Sequence, residues 1–343
     1  MTDIKILDSA SEAAWENFVA SCPDATFFHK AGWKRVIEKS FGQKTYYLYA
    51  ESDGQIQGVL PLVHVKSILF GSSLISTAFT VGGGTAALNE TARHALDLYA
   101  QRLCGETGAA YIEYRGTGHV PDGWVKRDDL YASFAWEIAA DEDDNLKQIP
   151  RKQRAVVRKA IDAGLDSVIE TDAGNFFKLF SASVHRLGTP VQSRRYFNAL
   201  LEEFGPDHCD ILTITSAGEP MSSVLSFYFR DAVLPYFTGG ALAARQCGAN
   251  DLMYWRLMRR AHARGYRIFD FGRSKAGTGP YSFKKNWGFT PVPITHAYYL
   301  PDGGPVPNTN PTNPKYELLI KAWQRMPLQL ANLIGPYIIR GIG

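Results

Sequence analysis

The chain repeats itself, and that repetition limits what it can fold into. Residues 46–63 (YYLYAESDGQIQGVLPLV) read as a strand, a turn at Asp53-Gly54 and a second strand. Residues 211–229 (ILTITSAGEPMSSVLSFYF) repeat that pattern around Gly218. Further strand-like sequence follows each hairpin, then a glycine-containing loop, then a helix. The first helix is predicted over about 89–104, opening at Asn89-Glu90, and the second over about 250–264, opening at Asn250-Asp251. Each helix leads through a glycine to a strand, Gly108-AAYIEY and Gly265-YRIFDF, with an acid at the same place in both, Glu113 and Asp270. Two copies of one mixed α/β unit account for this order. A chain of 343 residues is also long enough for two domains.

The predicted organisation is an N-terminal domain over 1–145, a basic connecting helix over 146–165, a C-terminal domain over 166–300 that carries the reactive motif, and a Pro/Gly/Asn loop with a helical segment over 301–343. Pro150 suits the first turn of the connecting helix and Gly164 its end. Charge is divided unevenly. Residues 1–150 hold 13 Lys and Arg against 20 Asp and Glu, a balance of −7, whereas residues 151–343 hold 24 against 14, a balance of +10. The second half is therefore the one expected to meet an anion.

Four scattered cysteines, Cys22, Cys104, Cys209 and Cys247, form no CxxC pair and read as reduced thiols of a cytoplasmic protein. The first residues contain no apolar signal core. Between Lys66 and Glu90 there is no charge, but the Gly, Ser and Thr content there fits strands and a loop, not a membrane span.

No GxSxG, HExxH, P-loop or GxGxxG before a helix occurs, and the eight histidines show no metal-ligand spacing. No metal is expected. Two segments remain. Arg245-Gln246-Cys247-Gly248-Ala249-Asn250 lies between strand-like sequence and a helix, where backbone N–H groups can hold a phosphate; the same pattern also fits an ordinary strand–helix connection. Phe269-Asp270-Phe271-Gly272-Arg273-Ser274-Lys275 runs into AGTGPYSFKKNWGF, where glycines lie beside cations and aromatics that suit phosphate or a developing oxyanion.

The segment Ser282-Phe283-Lys284-Lys285-Asn286-Trp287-Gly288-Phe289, after FDFGRSK, resembles the closing motif of the FemAB/FemX family and of related BioF2-like acetyltransferase domains. The helix RKQRAVVRKA resembles that family as well. Arg186-LGTPV-Gln192-Ser193 and NPKYELLIKAWQRMPLQLANLIGP resemble a FemAB-related branch associated with exosortase (PEP-CTERM) systems. The resemblance implies two tandem GNAT-like domains of α/β class with mixed sheets, and N-acyl or aminoacyl transfer to an amine on a peptidoglycan-like cell-envelope or exopolysaccharide precursor. It puts the Phe-Lys pair, Phe283-Lys284, at the reaction centre. Lys284 is then the cation that stabilises the tetrahedral oxyanion, Phe283 packs against the donor or places the lysine, and Asp270 either takes a proton or forms a strand-end pair with Arg273. Arg273, Lys275, Tyr281, Lys285 and Trp287 fall in the same motif as substrate-binding residues.

Two donors stay open. The R-x-x-G order at Arg245, Gly248, Ala249 and Asn250 resembles the pyrophosphate loop of GNAT acyltransferases and implies acyl-CoA as co-substrate, whereas the Fem resemblance implies aminoacyl-tRNA. Arg151, Arg154 and Arg158 share one face of the connecting helix, either as a phosphate-facing wall of the inter-domain cleft or as a solvated connector. The partners expected are an anionic or lipid-linked acceptor and, with the second donor, tRNA; nothing points to DNA. Met326–Ile339 is uncharged and is either a docked helix or a peripheral contact with the inner membrane. A non-catalytic binding module of a polysaccharide or exosortase system is the alternative from another class.

Overall fold

Both predicted hairpins are present, and both turn on residues with positive φ: Asp53 and Gly54 at 53° and 73°, Ala217 and Gly218 at 49° and 84°. Paired positive φ values match the right-handed twist of the flanking strands, which is why glycine ends each turn. A computed structural model describes residues 2–67, 70–307 and 317–343. The chain divides into two units, one built from residues 2–129, 294–307 and 337–343, the other from residues 130–293 and 317–336.

In the first unit, β1 (Lys44–Ser52), β2 (Gln55–Ser67) and β3 (Gly71–Ser76) run antiparallel. The helix α1 (Glu90–Thr107) then crosses over to β4 (Ile112–Arg115), which lies parallel to β3. Asn89 caps α1 as predicted, its side chain accepting the Ala92 N–H. Leu48, Leu60, Leu74, Leu96, Ile112 and Tyr114 form the core between sheet and helix.

The second unit begins earlier than predicted and repeats this order. The helix α2 (Arg151–Asp162) is followed by the antiparallel strands β5 (Cys209–Ser216), β6 (Glu219–Phe229) and β7 (Ala232–Gly240). Then α3 (Ala249–Ala263) leads to β8 (Ile268–Asp270), parallel to β7. A further helix, α4 (Gly279–Asn286), carries the closing motif. The parallel strand after the helix is the same in both units, so the duplication seen in the sequence is a duplication of topology.

Three boundaries differ from expectation. Residues 130–145 belong with the second unit, because Ala135–Glu137 pairs antiparallel with β8 and Tyr131–Ser133 pairs with Ser274–Lys275. Residues 296–299 return to the first unit, where His296–Tyr299 pairs with β4. The basic helix is not a free connector: Val157 and Ala160 are fully buried, and α2 packs on α3. Beyond 301, residues 308–316 lie outside the described residues, and the predicted terminal helix is two, Glu317–Arg325 and α5 (Leu328–Ile339), separated near Pro327. The α5 helix is docked through Ala331 and Gly335, where a Cβ on Gly335 would meet the Val191 carbonyl at 2.9 Å. No described helix is long and apolar enough to cross a membrane. Among the four free cysteines only Cys247 is not buried.

Candidate active site

The closing motif folds around a turn at the end of β8. Asp270 Oδ1 accepts the Gly272 N–H at 2.9 Å, and Gly272 adopts a φ of 67°, which lets the chain reverse there. This reversal aims three successive carbonyls at one point. Lys284, buried on the inner face of α4, fills that point: its Nζ donates to the carbonyls of Phe271, Gly272 and Arg273 at 2.5, 3.0 and 3.2 Å. The Phe134 and Phe271 rings lie 5.4 and 5.2 Å from Nζ.

That arrangement bears on the role expected for Lys284. An ammonium has three N–H donors, and here all three are committed to backbone oxygens. It reaches an oxyanion only by giving one up, so Lys284 positions the turn, and its charge acts on the surroundings at a distance. Burial pushes its pKa down to about 8, with Asp270 opposing the shift and Arg273 adding to it. Burial pushes the Asp270 carboxyl upward, while the Gly272 N–H and Lys284 favour its ionised form.

Glu113 occupies the equivalent strand in the first unit and behaves oppositely. Burial would raise it, but Arg115 and His296 hold it well below the usual carboxylate range, and it also accepts the Tyr298 hydroxyl at 3.0 Å. The two equivalent acids are therefore shifted in opposite directions, Glu113 down and Asp270 up.

The remaining predicted residues separate into two groups. Arg273 does not pair with Asp270; its guanidinium lies 4.4 Å over the Tyr131 ring. Tyr281 packs edge-on against Phe134, and Lys285 is exposed on the outer face of α4, 6.0 Å from the Tyr281 ring. Lys275 lies partly buried on the strand paired to Tyr131, and burial lowers its pKa. Trp287 and Phe283, by contrast, are packing residues. Trp287 is fully buried and its Nε1 donates to Asp251 at 2.9 Å, while Phe283 lies within 6.2 Å of Tyr254, Phe271 and Trp287. Trp287 is therefore not exposed to substrate. Ser274, quoted in the sequence motif but given no role there, is buried, and its hydroxyl has no hydrogen-bond partner among the described residues.

The R-x-x-G segment is less open than the sequence suggests. Ala244–Cys247 forms one helical turn, Gly248 turns at a φ of 73°, and α3 begins at Ala249, so Asn250 is inside the helix instead of capping it. Gly248 sits against α2, where a Cβ would meet Val156 Cγ1 at 2.9 Å, and its N–H already bonds the Ala244 carbonyl. Ala249 is buried, with its carbonyl bound by the Ser222 hydroxyl, while Arg245 is exposed. On α2, Arg151 and Arg158 are exposed and Arg154 half-buried. Among the described residues no carboxylate lies within 4 Å of these three or of Lys152 and Lys159. No group of described His, Cys, Asp and Glu side chains could hold a metal ion.

Residues 148–285 match the family model of an acetyltransferase (GNAT) domain, from the start of α2 to the closing lysines. No curated protein matches the chain. Among solved structures, the crystal structure of FemX superposes with a TM-score of 0.67 at 16% identity, covering 93% of this chain and 100% of that one. The tandem GNAT protein from the clavulanic acid biosynthesis pathway superposes with a TM-score of 0.57 at 12% identity, covering 90% and 100%. The fold is that of tandem GNAT proteins. L-PGS from Bacillus licheniformis shares it, with a TM-score of 0.51 at 12% identity over 86% of this chain and 96% of that one. In this GNAT-like chain the matched domain model contains both the Asp270 turn and Lys284.

Proposed function

We propose that the protein is an N-acyltransferase whose second unit moves an acyl group from an activated ester or thioester to a primary amine. The observation that carries this reading is the turn at Asp270, where a desolvated carboxylate and a buried ammonium sit together inside the segment that matches a GNAT acetyltransferase domain. The amine attacks the donor carbonyl, the C–N bond forms, and Asp270 takes the proton from the resulting ammonium. Collapse of the tetrahedral intermediate breaks the bond to the leaving thiol or hydroxyl, which takes up a proton. Lys284 fixes the turn that carries Asp270, and its positive charge favours the developing oxyanion at a distance.

Acyl-CoA is the donor favoured by the domain match. Aminoacyl-tRNA is the second reading, favoured by the five cations of α2 that have no carboxylate partner among the described residues. The acceptor we propose is an amine on a peptidoglycan-like cell-envelope or exopolysaccharide precursor, in the manner suggested by the FemX-like fold, within an exosortase-type setting and beside the inner membrane.

The test is amine-dependent release of free thiol from a panel of acyl-CoA donors, run beside transfer from charged tRNA. Asp270→Asn is expected to lower kcat at least 100-fold with unchanged folding. Charge reversal at Arg151, Arg154 and Arg158 is expected to raise the donor KM and leave kcat nearly intact. Thiol release that Asp270→Asn does not slow, or no transfer from either donor, would overturn the reading and leave a binding module.

A further inference from the structure

The first unit draws on the acidic half of the sequence, yet it gathers cations around one cavity of about 570 Å³. That size suits a small-molecule ligand. The sheet register explains the gathering. Lys44 lies directly opposite His64 on the paired strands β1 and β2, and Tyr46 and Lys66 are each two residues further on, so all four side chains share one face. Arg340 is brought to the same wall by Gln43. The buried Gln43 amide donates to the Arg340 carbonyl at 2.8 Å and to the Lys66 carbonyl at 3.3 Å, and accepts the Lys66 N–H at 3.1 Å. One side chain therefore fixes the backbone of two cations that are far apart in sequence.

Among the described residues, Lys44, Lys66 and Arg340 have no carboxylate within 4 Å, and Lys44 lies 4.8 Å over the Tyr46 ring. Glu106, also on the lining, is 3.6 Å from Arg102. At the base of the cavity His64 bonds the Ser72 hydroxyl at 2.8 Å, and burial lowers its pKa, with the charges of Lys66 and Lys44 adding to the shift; Lys44, Lys66 and Arg340 themselves are exposed at the rim. Like charges held together without counter-ions repel one another, and a bound anion removes that cost.

We propose that this cavity binds a phosphate-bearing ligand, with Lys44, Lys66 and Arg340 around its phosphoryl oxygens. Three cations match the charge and the oxygen count of a phosphate group better than those of a single carboxylate. Such a group belongs equally to a soluble phosphoester or to a phospholipid headgroup. Tyr337, one helical turn before Arg340, is 68% exposed, a large ring that a bilayer would cover.

The test uses the full chain and does not depend on any acyl-transfer assay. Binding of glycerol 3-phosphate is measured by titration calorimetry, and sedimentation is measured with vesicles of phosphatidylglycerol and phosphatidylcholine against phosphatidylcholine alone. The double variant Lys66→Gln/Arg340→Gln is expected to bind at least 10-fold more weakly, whereas Lys5→Gln/Lys126→Gln, an equal loss of charge elsewhere on the first unit, is expected to bind normally. Lys44→Gln repeats the test should the double variant melt early. Loss confined to glycerol 3-phosphate identifies a soluble phosphoester, and loss confined to vesicles identifies a headgroup. If neither probe binds, or if both double variants weaken binding equally, the proposal fails.

Discussion

Replacing Lys284 by methionine gives a stability change whose pH dependence can be worked out in advance. The group is buried, and its pKa falls from 10.5 to about 8 on folding. A depressed lysine means that the unfolded chain binds the proton more tightly between those two values, so stability rises with pH across that window. At 1.36 kcal/mol per unit, the whole effect is about 3 kcal/mol, and about 2 kcal/mol of it appears between pH 7 and pH 9.5. Methionine keeps most of the apolar stem and cannot titrate, but it strands the carbonyls of Phe271, Gly272 and Arg273. Urea unfolding at 25 °C should therefore show the wild type gaining about 2 kcal/mol on the variant between pH 7 and pH 9.5, in the transition that the substitution displaces. Taking the difference cancels the buried tyrosines and cysteines, which titrate in both proteins. A difference that stays flat across that range, or shrinks, would refute the claim that a buried, charged ammonium organises this turn.

Three other perturbations test separate parts of the fold. Gly248→Ala adds a Cβ 2.9 Å from Val156 Cγ1 and 3.1 Å from its carbonyl at a positive φ, so it should cost about 2 kcal/mol in urea unfolding. Trp287→Phe removes the bond to Asp251 while keeping the ring in place; it should cost about 1–2 kcal/mol, and a larger loss would mean that packing, not the hydrogen bond, dominates. Asp210 accepts from Tyr228, Arg260 and Arg264, so Asp210→Ala should destabilise by about 3 kcal/mol, and an effect below about 0.5 kcal/mol would show those guanidiniums to be adequately solvated without it.

The features legible in the sequence were those whose physics is local. Turn residues at 53–54 and 217–218, the Asn89 cap and the acid of each final strand all depend on neighbours a few residues away, and all are found where the spacing puts them. What the sequence hid is nonlocal. Ala135–Glu137 and His296–Tyr299 are short and carry little period, and they become strands only because β8 and β4 offer them a free edge. Lys284 reads as a free cation because nothing in FKKNW shows that three carbonyls eleven to thirteen residues earlier converge on it. Arg260 and Arg264, four residues apart at the end of α3, close on Asp210, which lies about fifty residues earlier in the chain. The cavity at Lys44, Lys66 and Arg340 was masked by averaging, since the half that supplies two of its cations is acidic as a whole.

The return of His296–Tyr299 to β4 makes the architecture nested instead of sequential. During synthesis the whole sheet of the second unit leaves the ribosome before the first unit receives its missing strand. Until then β4 presents an unpaired ladder to whatever chain is nearby. A fragment cut at the apparent midpoint would keep that edge open for good, so expression of the N-terminal portion alone should yield aggregates or strand-swapped dimers, however well formed its core.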